Sequence, residues 1–479
     1  MAEEQVRWGD KVRRYRQVHF IGIGGYGMSA LARVLLDQGI QVSGSDLARK
    51  DLTDKLEQQG AKVYIGHRRE QIDGADVVVY SSDIPKDNVE LVEATRRHIP
   101  LLHRSQMLAQ ILNDKTGIAV AGTHGKTTTT SMIARVMEAC GLDPTYVIGG
   151  EMLDIGSNAR AGNSQYVVAE VDESDGTFLH YYPYIGVVTN LEADHLENYD
   201  GRFEKLVAAY KQFLSQIKPG GVAILNVDDP HLKALIPSLA CRVLTYSLQD
   251  SSADLYASAI TTLDWGIGYT AYMRGKKLGE VRLAVPGRHN VANSLAAILA
   301  GWELGLSFED IVPALGSFHG AKRRFEVVAE VNGILLVDDY AHHPTEIKAT
   351  LEAARALNRR VLALFQPHRY SRTDDLKEEF SRAFGQADEV WITEIYSPKG
   401  DQHRPITGQD LVAMIRKESN PNTHYATDLK DLHRQVRPRL APGDLVLTMG
   451  AGDIWQVAGW LRDDLLANER SEQITDAAT

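Results

Sequence analysis

The sequence predicts an α/β fold of three domains with mostly parallel sheets. Short, near-continuous apolar runs alternate with helix-like segments along the chain, the pattern of strands covered on both faces by helices. These units gather in three clusters. The 479 residues also exceed one comfortable core, since a domain takes roughly 150 residues.

In the first cluster Val18-His-Phe-Ile-Gly, Val42-Ser-Gly and Ala75-Asp-Val-Val-Val-Tyr80 read as strands. In the second the strands are Gly117-Ile-Ala-Val-Ala, Tyr166-Val-Val-Ala-Glu170, Ile185-Gly-Val-Val-Thr189 and Val222-Ala-Ile-Leu-Asn226. Between Leu255 and Leu283 the pattern becomes strand–turn–strand, with Met273-Arg-Gly-Lys276 as the turn. In the third they are Gly333-Ile-Leu-Leu-Val337, Val361-Leu-Ala-Leu-Phe365, Val390-Trp-Ile-Thr393 and Asp444-Leu-Val-Leu-Thr-Met449. Boundaries near Asn113–Lys115 and Phe318–Arg323 divide the chain into 1–113, 114–320 and 321–467, followed by a polar, flexible tail over 468–479.

A content of 44% hydrophobic and 24% charged residues excludes wholesale disorder. The 52 Lys and Arg against 63 Asp and Glu give a net charge of -11. That balance argues against a general partner of nucleic acid or anionic membrane, while leaving room for a local basic pocket. Two cysteines, Cys140 and Cys241, cannot build a disulfide framework or a four-cysteine zinc site. No apolar stretch reaches the ~18 residues of a membrane span, and the N-terminus is charged rather than signal-like. The expectation is a soluble cytoplasmic protein without membrane insertion, compatible with an oligomer.

Two glycine-rich loops follow strands and open helices. Gly22-Ile-Gly-Gly-Tyr-Gly27 fits G-x-G-x-x-G; its glycines let backbone amides approach a pyrophosphate at a helix N-terminus. With Asp46 ending the next strand as a ribose ligand, NAD is the obvious occupant. A tight turn with no ligand is the competing reading, and the motif alone specifies only a diphosphate. Gly122-Thr-His-Gly-Lys-Thr127 has the Gly-Lys-Thr ending of a phosphate loop, although Val120 stands where the usual pattern has its first glycine. Its amides suit ATP phosphates, Lys126 the β/γ-phosphates and Thr127 a Mg²⁺ ion.

Glu170-Val-Asp-Glu-Ser-Asp175 and Asn190-Leu-Glu-Ala-Asp-His195 follow neighbouring strands, at the edge where open α/β sheets bind ligands. Glu170 and His195 are the stronger Mg²⁺ candidates; Asp172, Glu173 and Asp175 are equally well solvated loop acids. In the third cluster, Asp338-Asp-Tyr-Ala-His-His-Pro-Thr-Glu346, Gln366-Pro-His-Arg-Tyr-Ser-Arg372 and Gly450-Ala-Gly-Asp453 each follow a strand. His368, Arg369 and Arg372 offer cationic groups to a carboxylate or a phosphoryl group. A structural role for His342 and His343 is favoured over zinc, since adjacent side chains diverge.

Gly122-Thr-His-Gly-Lys-Thr127 together with Thr189-Asn-Leu-Glu-Ala-Asp-His195 resembles the Mur ligase superfamily of ATP-dependent amide-forming enzymes. The three C-terminal motifs narrow the resemblance to members that join L-alanine to UDP-N-acetylmuramate, and it runs from about Val18 to Ala467. Ser371 stands where threonine is more usual, and the hydroxyl is kept. The resemblance implies a Rossmann-like N-terminal domain, a P-loop-type central ATPase domain and a Rossmann-like C-terminal domain that receives the amino acid and part of ATP. It implies that Gly22, Gly24, Gly25 and Gly27 bind the UDP-sugar rather than NAD, with Asp46, Ser81, Ser82 and Arg104 as weaker candidates. It implies ATP contacts from Gly122, Thr123, His124, Gly125, Lys126, Thr127 and Thr128. His289, Asn290 and Asn293 match the adenine side, and Arg323 and Asp339 match positions near ATP phosphate and ribose. Thr127, Glu170 and His195 would support Mg²⁺, directly or through water. His342, His368, Arg369 and Arg372 match the region expected to receive L-alanine. The catalytic set is then Lys126, Glu170, His195, Arg323, His342, His368, Arg369 and Arg372.

Relatives that attach a preformed peptide to the same sugar share the Asp-Asp-x-Ala-His-His-Pro stretch but lack Gln-Pro-His-Arg, so His368 and Arg369 favour alanine. A dehydrogenase would leave Gly122–Thr127 unexplained, and a non-catalytic scaffold has no use for phosphate loop, acids and cations together.

Overall fold

The structure, a computed structural model, describes residues 15–174, 176–398, 401 and 405–476. Asp175, a candidate Mg²⁺ ligand, lies outside them. Three sheets organise an α/β fold. The first is parallel throughout, in the order Lys62–Ile65, Gln41–Asp46, Gln17–Ile21, Val77–Tyr80, Leu101–His103. Its order reverses on either side of Gln17–Ile21, so the loop after that strand sits where a doubly wound sheet opens a ligand crevice.

The second sheet has ten strands. Thr116–Ala121 lies in its middle, between Ile185–Val188 and Tyr166–Glu170, all parallel. Val222–Asn226 and Arg242–Ser247 extend one side; Thr145–Met152 and Ser157–Arg160, an antiparallel pair, close the other. The expected strand–turn–strand is present as Ile267–Met273 and Lys276–Leu283. Arg274 and Gly275 between them both have positive φ, as a two-residue hairpin turn requires.

The C-terminal sheet runs Glu326–Val331, Ile334–Asp339, Asp444–Met449, Arg360–Phe365, Glu389–Ile392, Thr423–Tyr425. All its pairs are parallel except the first, a hairpin closed by Asn332 and Gly333. Strands Ile185–Val188 and Asp444–Met449 are buried at every residue, which is why they read as mostly apolar runs.

By compactness the chain forms two units. One holds the first sheet and most of the second; the other holds 260–268, 283–290 and everything from His319 onward. The helix Trp455–Asp476 runs through most of the segment expected to be a tail, while 477–479 lie outside the described residues. Among the described residues no helix is long and apolar enough to cross a membrane.

Candidate active site

The first glycine loop hangs from the strand beside it. Gly22 and Ile23 donate backbone N–H to Ser45 O at 2.8 and 3.0 Å, and Gly24 N–H donates to Asp46 Oδ2 at 2.9 Å. Asp46 is buried, with Lys50 Nζ 3.2 Å from its other oxygen, so the expected ribose ligand braces the loop. Gly25 precedes the helix Tyr26–Asp37 with no side-chain cap, leaving the N-terminal amides of that helix for a ligand. Gly27 is small because Arg104 crosses it: a Cβ there would lie 3.0 Å from Arg104 Cδ. Arg104 continues to Asp172 at 3.8 Å, which brings a UDP-side candidate beside the acidic strand end of the second sheet. Ser82 Oγ lies 3.1 Å from His103 Nε2, and Ser81 O accepts from Ile84 N–H at 3.1 Å.

Sequence reading missed the support under this loop. Ser45, whose carbonyl holds Gly22 and Ile23, donates its hydroxyl to the buried carboxylate of Glu90 at 2.5 Å, and His19 and His67 flank that carboxylate at 3.7 and 3.3 Å. Burial pushes Glu90 up, but its bonds to His19 and Ser45 prevail and hold it below the usual range.

At the phosphate loop, Gly122 has φ +132° and a Cβ would collide with Thr189 Oγ1; Gly125 has φ +79°, where a Cβ would meet Asn293 Oδ1 at 2.8 Å. Both glycines are therefore required by backbone shape and by close approach. Lys126 begins the helix Lys126–Ala139 and folds back over the loop, donating to Gly122 O at 2.5 Å, Thr123 O at 3.2 Å and Glu173 Oε1 at 3.0 Å. Burial would pull its ammonium down, but Glu173, Asp172 and Glu170 outweigh that and hold it above an ordinary lysine. Glu173 is pushed up by its own burial against the pull of Lys126, with Asp172 adding to the rise. The ammonium thus stays charged, and Glu173 is a weaker acid than Asp172.

Thr127 Oγ1 donates to Glu170 Oε1 at 3.1 Å, and Gly149 N–H holds the other Glu170 oxygen at 2.7 Å. Hydroxyl and carboxylate oxygens converging beside the loop are the hard donors that Mg²⁺ takes. Thr128 is half-buried on the first turn of the helix. His195 follows the adjacent strand at φ +53°, its Nε2 3.7 Å from Asp194 Oδ2.

The loop is clamped by residues that the sequence had placed only within a motif. Asn190 Oδ1 accepts from His124 N–H at 2.8 Å and its Nδ2 donates to His124 O at 3.1 Å. Thr189 Oγ1 donates to the same carbonyl at 2.6 Å, and Thr123 N–H donates to Asn190 O at 3.1 Å. Asn293, expected on the adenine side, accepts from Thr129 Oγ1 at 3.1 Å. Asn290 Nδ2 donates to Pro286 O at 2.7 Å, and burial with the Arg324 guanidinium brings the His289 imidazole down to about 4.

In the C-terminal unit, Arg323 joins two strand ends: Nε donates to Asp338 at 2.8 Å, Nη2 to Gly450 O at 2.6 Å and Nη1 to Gly452 O at 3.1 Å. Asp339 accepts N–H bonds from Phe325 and Ala341, each at 2.7 Å, and burial pushes its carboxyl up to about 6. Both residues, expected near ATP phosphate and ribose, bond here to groups of the C-terminal unit. His343 caps the helix Pro344–Arg355, accepting from Thr345 N–H, while Glu346 reaches back to His343 N–H. The His342 and His368 rings lie 6.3 Å apart, and His368 stacks on Tyr396 at 5.6 Å. Burial, with His342, Arg372 and Arg369 nearby, brings His368 down to about 3, so its ring is neutral at pH 7. Arg369 adopts φ +70° and is held by Tyr396 O at 2.9 Å, opening the short helix that carries Arg372. The four predicted residues of the amino-acid region thus share one edge.

Family models match in order along the chain: "Mur ligase family, catalytic domain" over 17–116, "Mur ligase middle domain" over 120–301 and "Mur ligase, glutamate ligase domain" over 323–452. The chain belongs to the Mur ligase family. A Mur ligase of Symbiobacterium thermophilum, UDP-N-acetylmuramate–L-alanine ligase, is 50% identical over 453 residues, covering 92% of this chain and 93% of its own. The crystal structure of UDP-N-acetylmuramate–alanine ligase MurC from Thermotoga maritima superposes with a TM-score of 0.81 at 28% identity, covering 94% of this chain and 99% of that one. A murein peptide ligase from Psychrobacter arcticus matches with a TM-score of 0.69 at 26% identity, covering 94% and 98%. Mur ligases are ATP-dependent, and the phosphate loop described above lies in the middle domain of this one.

Proposed function

We propose that this enzyme joins L-alanine to the lactyl carboxylate of UDP-N-acetylmuramate, converting ATP to ADP and phosphate, in cytoplasmic synthesis of peptidoglycan precursors. The observation that carries the reading is Lys126, held charged over a clamped phosphate loop at a helix N-terminus. The 50% identity to an alanine ligase along nearly the whole chain supports the choice of substrates. In this reading residues 1–113 bind the UDP-sugar, 114–320 bind ATP, and 321–467 receive alanine and part of ATP.

A carboxylate does not accept an amine at neutral pH, because its oxygen leaves poorly. Transfer of the γ-phosphoryl group to a lactyl carboxylate oxygen breaks the bond to the β-phosphate oxygen and makes an acyl phosphate. The alanine amine then adds to the acyl carbon, gives up a proton, and phosphate leaves from the tetrahedral intermediate. Lys126, released from Gly122 O and Glu173, meets the negative charge on the transferring group. Thr127 and Glu170, with His195 directly or through water, would hold Mg²⁺, which when bound neutralises phosphate charge. Gly22–Gly27 present amides to the UDP pyrophosphate. Arg369 and Arg372 offer guanidinium groups to the alanine carboxylate, and neutral His368 shapes that pocket without adding charge.

The test is phosphate release with ATP, Mg²⁺ and UDP-N-acetylmuramate, comparing L-alanine, glycine, L-serine and a tripeptide. L-alanine should give the highest kcat/KM. A preference for the tripeptide would reassign the enzyme to peptide recycling, and no release with any acceptor would refute the reading. Lys126→Ala should remain folded and lose about 10²–10³ in kcat, the cost of removing one preorganised donor.

A further inference from the structure

We propose that the seam between the first and second sheets holds a binding site for a small metabolite bearing a carboxylate or phosphate group, separate from the UDP-sugar and ATP loops. The helix Tyr26–Asp37 rests there on the hairpin Thr145–Met152 and Ser157–Arg160. Asn158 Nδ2 donates to Tyr26 O at 2.9 Å, and Ala161 N–H donates to Asp37 Oδ2 at 3.1 Å. A cavity of about 380 Å³ opens beside this contact, within the range of small-molecule sites. Its walls include no residue of Gly22–Gly27 or Gly122–Thr128.

Arg33 in the wall is 6% exposed. Its Nη1 donates to Ser157 Oγ at 2.5 Å, its Nε meets no acceptor, and among the described residues no carboxylate pairs with it. A buried cation without a counter-anion is costly, and native interiors almost always pair one. Tyr146, also in the wall and fully buried, has a hydroxyl with no hydrogen-bond partner. The two other cations of the wall are already neutralised: Lys55 pairs with Glu151, and Arg160 with Glu138 and Asp143. Although Asp37 also lines the cavity, neither Arg33 Nε nor the Tyr146 hydroxyl is bonded to an acceptor. A planar carboxylate or a phosphate is the group that a guanidinium fork binds best. Asp37 repels such a group from its own side and so favours a position near Arg33.

Arg33 lies two turns along the helix that begins after Gly25, about 11 Å from the glycine loop, so occupancy there and at the UDP site is separable. The experiment follows thermal unfolding of the full chain with UDP-N-acetylmuramate and a non-hydrolysable ATP analogue saturating. Inorganic phosphate and citrate are titrated separately into wild type, Arg33→Met and Tyr146→Phe. At least one anion should raise the wild-type Tm saturably, above the linear rise that excluded salts give to any variant. Phosphate alone would mark a phosphoryl ligand, and citrate alone a carboxylate. Arg33→Met should be at least as stable without ligand and bind the anion on the order of tenfold more weakly, with Tyr146→Phe intermediate. No saturable rise in wild type, or equal rises in wild type and Tyr146→Phe with an unaltered Arg33→Met response, would overturn the proposal. If Arg33→Met fails to fold, Tyr146→Phe decides alone.

Discussion

Asn190→Ala tests whether the clamp on the phosphate loop matters for ATP binding. The change deletes both side-chain bonds to His124, at 2.8 and 3.1 Å, but leaves the backbone bond from Thr123 N–H to Asn190 O. A net hydrogen bond contributes about 0.5–1.5 kcal/mol, so two contribute about 1–3 kcal/mol. Thr189 still holds the His124 carbonyl, which places the loss toward the lower part of that range. If loop order and phosphate binding are coupled, KM for ATP should rise about 5–30-fold. The KM for UDP-N-acetylmuramate should stay unchanged, because Gly22–Gly27 hang from a different strand. The assay is ADP release at varied ATP with the other substrates saturating, alongside a melting curve to establish folding. A folded variant whose ATP KM stays within about twofold of wild type would refute the reasoning. Equal losses for both substrates would point to general damage instead.

Gly122→Ala forces a Cβ into Thr189 Oγ1 at φ +132°, and should abolish ATP-dependent turnover while inorganic phosphate release serves as the readout. Arg323→Met leaves Asp338 buried without its cation and should destabilise the C-terminal unit by about 3–5 kcal/mol, visible as an earlier unfolding transition. For His368 the folded value of about 3 lies below the ordinary 6.5, so the unfolded chain binds a proton that the folded chain refuses. Stability is therefore complete above pH 6.5 and falls toward pH 3, by up to about 1.4 kcal/mol per pH unit. His368→Gln should flatten the acid side of a Tm-versus-pH curve; an unchanged slope would show that this imidazole is not buried neutral.

Much of the fold was legible because burial on both faces leaves its mark on composition. Ile185–Val188 and Asp444–Met449 are apolar at nearly every position for that reason. Lys62–Ile65, Leu101–His103 and Thr145–Met152 were not picked out: the first two are short and lie at sheet edges, and the third carries Gly149 and Gly150. Gly149 is glycine because a Cβ would come within 2.5 Å of Glu170, a tertiary cause with no local signal. The turn at Arg274–Gly275 shows the opposite case, since its left-handed backbone favours a glycine that stands out locally between two strand-like runs.

By itself the sequence determined the order of the three α/β segments, the two glycine loops and the family, because strands, tight turns and phosphate loops each require particular residues at fixed spacing. The direction of each charged side chain was decided only by tertiary packing. Asp46 ends its strand and Arg323 lies three residues before Glu326–Val331; one braces Gly24 and the other clasps Gly450 and Gly452. Asn190 and Thr189 became clamps because their strand lies next to Thr116–Ala121 in the sheet. The unpaired charge of Arg33 likewise exists only because a hairpin from the second sheet covers it. Spacing along a chain specifies which groups reach a sheet edge; the neighbours that satisfy or orphan them come from strands and helices distant in sequence.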